Sequence, residues 1–471
     1  MTATLTLTDG TTTINLMDGT NYAVQENGFA KPMPKRSYSF GGGGLLRDGS
    51  DLIDDTYENR EVTINLNVYA TSADNLDQRI QDILVLIETA RSWAKTRRGS
   101  AVELQYKKDG ATDTTYFDVL DGTVEEPDTT HSVLLKSNTI LGVVVKLTCK
   151  PFARGALTSC LAATTVYNHD DTDHDNFVDI ASGSVKGDVR GSLKLWIHNN
   201  TGSSYEGLRI AVQSSASANL VSHVLEAEAE HSFETSASEV ADATCSGSLK
   251  VRIGSGSFAE SVVATYNLTQ NLTEELAGWY RAFGRMYAAP AASDAGFRCK
   301  WDWASGDWWT SASQGCAAAC TWEMIDLGLV KFPPFAVQDT WVSDSVMADS
   351  SQRRFDLYTH LTSSSATLEI DYFEFFPMFY GIAIGGSTGM SASTGQLFDS
   401  VSEPPFTART GSSGSLVQVV ADADWVWTPL YVEPGKANRV IVSIDRDSAC
   451  NVTLDNVSIS GSYVPRYLLV K

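Results

Sequence analysis

Val62-Thr63-Ile64-Asn65-Leu66-Asn67-Val68 alternates apolar and polar residues without a break, and soon after it the pattern changes period. Strict alternation buries one face of a strand. Leu76, Ile80, Ile83, Leu84, Ile87, Ala90 and Ala94 instead fall on one stripe at helical spacing, which predicts a helix over residues 74–95. Ser72 is its N-cap, and Asp74 favours the first turn. Arg91, Lys95, Arg97 and Arg98 suit its end, and Gly99 stops it. Short strands surround this pair. Residues 4–7 and 13–16 form a hairpin about Asp9-Gly10. Val102, Leu104 and Tyr106 precede a Lys108-Asp109-Gly110 turn, followed by strands at 116–120 and 140–147. One helix against antiparallel sheets makes the fold class mainly β, a sandwich or barrel with one flanking helix.

Residues 26–59 interrupt the pattern with Pro32, Pro34, the run Gly41-Gly42-Gly43-Gly44 and the acidic residues Asp51, Asp54 and Asp55. A loop this long either meets a partner or is a mobile tip.

At 471 residues the chain holds about two to four domains of ~100–200 residues. Its net charge of −22 excludes non-specific nucleic-acid binding, which needs a basic excess to displace counterions. No run of ~18 apolar residues is present, so no transmembrane helix and no membrane partner are expected. The first residues lack a basic start and apolar core, so the protein is expected to be made and kept in a cytoplasm. Seven scattered cysteines do not form a disulfide framework. Cys316 and Cys320 lack the second pair of a zinc site, and buried free thiols are expected.

The histidines sit in no zinc-protease motif, and neither a nucleophile elbow nor a phosphate loop is present. With 57 acidic residues, a chance carboxylate pair means little. The expectation is no enzyme and no required cofactor. Asp171, Asp173 and Asp175 have the spacing of a calcium loop, but Asn176 and Ser182 stand where its glycine and glutamate belong. His169 and His174 allow a transition metal there; a solvated loop is the other reading.

Trp301, Trp303, Trp308, Trp309 and Trp322 fall within 22 residues. Two readings stand. Exposed indoles stack on sugar rings; alternatively the group packs a core or a subunit interface. Trp308 and Trp309 are adjacent, so in a strand they face opposite sides.

Arg60 just before the alternating strand, the helix and short strands after it, and the exit Leu147-Thr148-Cys149-Lys150-Pro151-Phe152-Ala153-Arg154-Gly155 together resemble the N-terminal domain of siphophage distal tail proteins. Residues 432–439 and 463–468 are similar to the endings of phage tail proteins of this class. The resemblance implies a virion structural protein of the tail tip, assembled in the host cytoplasm. In it residues 1–155 are a tail-tube-like domain forming a homo-oligomeric ring, a hexamer. Its partners would be the tail-tube protein and a tail-tip hub or tail-associated protein. Residues 156–221 and 379–471 each hold too few strands for a sandwich and together make one discontinuous domain, galectin-like in the family. Between them, residues 222–378 carry Leu225-Glu226-Ala227-Glu228, Gly278-Trp279-Tyr280 and the strand Leu368-Glu369-Ile370-Asp371-Tyr372-Phe373. These resemble β-jelly-roll carbohydrate-binding modules. That implies a structural Ca2+ held by Glu226, Glu228 and Asp371, and a host cell-wall carbohydrate as partner for Trp301, Trp303, Trp308 and Trp309. The rival reading is a host-glycan adhesin without the tube-joining role.

Overall fold

A computed structural model describes residues 3–41, 51–125, 139–167, 176–200, 205–215, 223–227, 232–233, 237–242, 245, 249–254, 258–267, 278–291, 295–303, 306–316, 322–332, 353–377, 382–384, 394–402, 405–410, 416–418, 426–427, 429–446 and 456–470. The protein is mainly β, built of antiparallel sheets in β-sandwiches, with a single α-helix among the described residues. No helix among them is long and apolar enough to cross a membrane.

The chain forms two compact units. The first is Met1–Ser159 with Val185–Gly191 and Tyr463–Lys471; the second is Cys160–Ser184 with Ser192–Ser462. The segments Val185–Gly191 and Tyr463–Lys471, expected in the second domain, belong to the first unit.

In the first unit the strands run across the sheet as Tyr22–Ala30, Arg60–Tyr69, Ile140–Cys149, Thr115–Glu125, Val102–Lys107, Thr4–Thr8 and Thr13–Asn15. Val62, Ile64, Leu66 and Val68 are fully buried. The alternation is therefore the core face of this strand. At the hairpin, the Asp9 carboxylate accepts from the Thr12 and Thr11 amides at 2.6 and 2.8 Å. The Thr12 amide, chiefly, holds its carboxyl below the usual range.

The helix spans Ala73–Thr96, and the Ser72 Oγ accepts from the Asn75 amide at 3.3 Å. Leu76, Ile83, Leu86, Ile87 and Ala90 are its buried residues. Leu84, expected on the stripe, is 37% exposed. At roughly 100° per residue, Leu86 lies nearer the centre of the stripe than Leu84. The helix stops at Arg97 rather than Gly99: Arg97 takes the left-handed conformation (φ 54°), and its amide donates to the Trp93 carbonyl at 2.8 Å.

Residues 26–59, expected as an unpatterned loop, contain strands on both sides of residues 42–50, which lie outside the described residues. Tyr22–Ala30 is a strand with a wide bulge, Val24 standing opposite Leu66 and Phe29 opposite Ile64, with Asn27 left-handed (φ 56°). Arg36–Gly41 then pairs with Asp51–Tyr57 as a two-stranded ribbon. Asp51–Tyr57 does not alternate, since Leu52-Ile53 are adjacent and Asp54-Asp55-Thr56 follow, so it lacks the pattern that marks residues 62–68. Gly42, Gly43 and Gly44 lie outside the described residues.

In the second unit, strands from both sides of residues 223–377 pair with each other. Tyr205–Ser215 lies between Ala437–Arg446 and Ile382–Ile384, and Val189–Asn199 pairs with Gly395–Asp399. Residues 223–377 supply a six-stranded and a five-stranded sheet of their own. Phe355 and Tyr266 of the five-stranded sheet meet Phe373 of the other edge-on at 5.0 and 5.6 Å, so the two sheets close over one core.

Candidate functional site

Of the expected tryptophan group, Trp301 and Trp303 end the strand Ala295–Trp303, which turns into Gly306–Thr310. Trp301 stands opposite Trp309, and Trp303 opposite Gly306. Trp309 is half-buried, packs on the sandwich core and stacks on Phe355 at 6.4 Å and 16°. The side chains of Trp301, Trp303 and Trp308 lie outside the described residues.

The implied calcium ligands divide similarly. Asp371 is fully buried and ion-paired with Arg285. Glu226 closes the strand His223–Glu226 opposite Tyr372, its side chain outside the described residues, as is Glu228 altogether. The aspartate run at 170–175 also lies outside them. Among the described residues, no group of three His, Cys, Asp or Glu side chains could hold a metal ion.

Beside Asp371 lies an ionic network that the sequence did not reveal. The Lys250 ammonium contacts Asp242 and Glu369, each at 2.6 Å, and Arg252 reaches Glu369 at 2.6 Å. Burial pulls the Lys250 pKa down, but the two carboxylates outweigh it and hold the ammonium above its usual range. Lys250 and Arg285 also lie over the Trp322 ring at 5.7 and 5.2 Å. Nearby Cys245 is buried, its thiol pushed up to about 12 chiefly by burial, so it stays protonated at neutral pH.

The five-stranded sheet carries an open depression of about 780 Å3, lined by Glu260, Arg298, His360, Ser311 and Ser313 among others. Glu260 and Arg298 are paired at 2.7 Å. Arg298 and Lys300 flank the Tyr358 ring at 5.1 and 5.0 Å. Ala259 and Leu361 mix with these polar side chains in the lining. Its lining holds one carboxylate, already engaged by a guanidinium.

A second buried cluster joins residues 223–377 to the strands around them. Arg209 and Glu374 have side chains only 3% exposed and meet at 2.7 Å. The Ser443 hydroxyl accepts from Arg209 at 2.6 Å and donates to Glu374 at 3.0 Å. The guanidinium lies 4.7 Å from the Phe283 ring, and Phe283 and Phe376 pack with Ala211 and Ile441. No local pattern could have found this cluster: its partners lie 165 and 234 residues from Arg209.

No family model matches the chain, and no curated protein sequence does. Among solved structures it is similar to the Dit protein of phage SPP1, described as a paradigm of the hub adsorption apparatus in phages infecting Gram-positive hosts. Identity is 9%, coverage 99% of both chains and the TM-score 0.32. Two structures of the phage p2 baseplate in its activated conformation are also similar. In the one with Sr, identity is 10% over 79% of this chain and 98% of that chain, with a TM-score of 0.24. In the one with Ca, identity is 9% over 100% of both, with a TM-score of 0.27.

Proposed function

We propose that the chain is a structural component of a long non-contractile phage tail tip. Its first unit would form a ring, a hexamer, joining the tail tube to the tail-tip hub. The observation that carries the reading is the element order of the first unit. A strand opened by Arg60 leads into the helix Ala73–Thr96, then the hairpin Val102–Lys107 and Thr115–Glu125, then Ile140–Cys149 and the Pro151-Phe152 exit. That is the order the sequence resemblance rests on. The ribbon Arg36–Gly41 with Asp51–Tyr57, which among the described residues pairs with no other strand, is the element suited to reaching a neighbouring subunit or tail component. No catalytic step belongs to this role, and no cofactor is required for it.

Residues 222–378 form the displayed module, resembling a carbohydrate-binding jelly roll. A host cell-wall saccharide would meet it at the depression around Arg298 and His360, or at Trp301, Trp303, Trp308 and Trp309. A calcium ion held by Glu226, Glu228 and Asp371 would have to displace Arg285 from Asp371.

Electron microscopy of the purified protein tests the reading. Rings with an open lumen are expected. A compact monomer or trimer that still binds cell-wall fragments would replace it with the adhesin reading.

A further inference from the structure

Residues 463–470 lie against three earlier pieces of the first unit. Ala153 pairs with Tyr467, and Arg154 with Arg466, in antiparallel register. The Gly155 amide donates to the Pro465 carbonyl at 2.9 Å, and the Asp188 amide to the Arg466 carbonyl at 2.8 Å. The Asp188 carboxylate accepts from the Leu468 and Leu469 amides at 3.0 and 3.2 Å. The Tyr463 hydroxyl accepts from the Lys186 amide at 2.6 Å. Val470 ends in the core of the unit, 7% exposed.

The track under this segment is cut to backbone width. A Cβ at Gly187, where φ is +122°, would stand 2.8 Å from the Arg466 carbonyl oxygen. A Cβ at Gly191 would stand 2.7 Å from that of Val464. Neither position admits a side chain while the segment is docked.

Arg60 lies beneath it, 1% exposed. Its Nη2 donates to the carbonyls of Tyr467 and Leu468 at 3.3 and 2.6 Å, across 407 and 408 residues of chain. The guanidinium lies 5.5 Å from the Phe117 ring. Nε and Nη1 have no hydrogen-bond partner among the described residues. A buried guanidinium held this way depends on those two carbonyls, because leaving buried donors without acceptors is costly. Arg60 also opens the core strand Arg60–Tyr69, opposite Cys149 of Ile140–Cys149.

We propose that residues 463–470 are a closing strap for the first unit, and that Arg60 couples the docking of the strap to the closure of the sheet. The strands Arg60–Tyr69 and Ile140–Cys149 reach their native protection only with the strap down. The proposal concerns how the unit closes and stands whether or not the unit forms a ring.

Hydrogen exchange on the full chain tests it with two independent variants. Gly187→Val wedges the track, and Arg60→Met keeps bulk but removes the donors. In both, exchange at the Leu468, Leu469 and Asp188 amides should rise by about tenfold or more, and exchange in Arg60–Tyr69 and Ile140–Cys149 should rise with it. The strands Gly278–Ala289 and Thr367–Pro377 of the second unit serve as the internal reference and should not change. Arg60→Lys, which restores a donor, should recover part of the protection. A strap that exchanges faster while the two core strands keep their protection overturns the proposal, and so does a strap unchanged in both variants. Should Gly187→Val fail to fold, Arg60→Met decides on the same readout.

Discussion

Arg60 in the first unit and Arg209 in the second are both buried guanidiniums that tie distant parts of the chain together, but they are neutralised differently. Arg209 has a full counter-charge in Glu374 and a hydroxyl, Ser443, bridging the two. Among the described residues, Arg60 has two backbone carbonyls and an aromatic face. A side-chain partner can be deleted by one substitution. A carbonyl partner cannot, so the Arg60 contact tolerates sequence change in residues 467–468 as long as the backbone stays in place. The Arg209 contact requires particular residues at three positions.

The largest effect should come from splitting the charged pair. Glu374→Ala leaves a buried guanidinium without its counter-charge and should destabilise the second unit by about 3–5 kcal/mol in denaturant unfolding. Replacing both partners with apolar residues of similar volume should be much milder. If the single and double variants cost the same, the pair is not the link described here. Arg60→Met removes donors but strands no opposite charge, so a smaller loss, about 1–3 kcal/mol, is expected in the first unit. A loss equal to that of Glu374→Ala would erase the contrast between the two arginines. Ser443→Ala deletes only the bridge and should cost about 1–1.5 kcal/mol.

Acid should have the smallest effect. Burial raises the Asp399 pKa, but the Ser402 amide and the Lys194 ammonium at 3.0 Å outweigh it and hold the carboxyl below its usual range. A lowered folded-state pKa means the stabilisation is complete above the unfolded value of ~3.9 and is lost as pH falls through the folded one. Second-unit stability should therefore be flat from neutrality to about pH 5 and decline below about pH 4. In Asp399→Asn this part of the decline should disappear. A decline of the same size in that variant would assign the acid sensitivity to other carboxylates.

The sequence revealed the parts of the fold whose cause is local. The strand at 62–68 and the helix at 74–95 announce themselves because their periods match the faces they bury. The ribbon of Arg36–Gly41 and Asp51–Tyr57 does not, since its second strand sets Leu52-Ile53 side by side ahead of Asp54-Asp55-Thr56 and so shows no period of two. Adjacency placed Trp308 and Trp309 on opposite faces, but only the register with Trp301 and the ring of Phe355 shows that Trp309 packs against the core. Asp371 stood out in the sequence only through the resemblance to carbohydrate-binding modules, as an implied calcium ligand; its partner Arg285 lies 86 residues away, and no spacing rule links them. Arg60 stood out in the sequence as the residue opening a strand, whereas its acceptors near the other end of the chain could not be read from any local pattern.

The Arg209, Glu374 and Ser443 cluster also limits how this architecture can be traded between chains. Residues 223–377 bring Glu374, Phe283 and Phe376 to the junction, and the flanking strands bring Arg209, Ser443, Ala211 and Ile441. A foreign module grafted between the same strands would arrive without the carboxylate. It would then set an apolar or mismatched surface against a guanidinium already committed to the interior. Recombination can replace this module freely only if the graft carries its own acid to that position, or if Arg209 and Ser443 change with it.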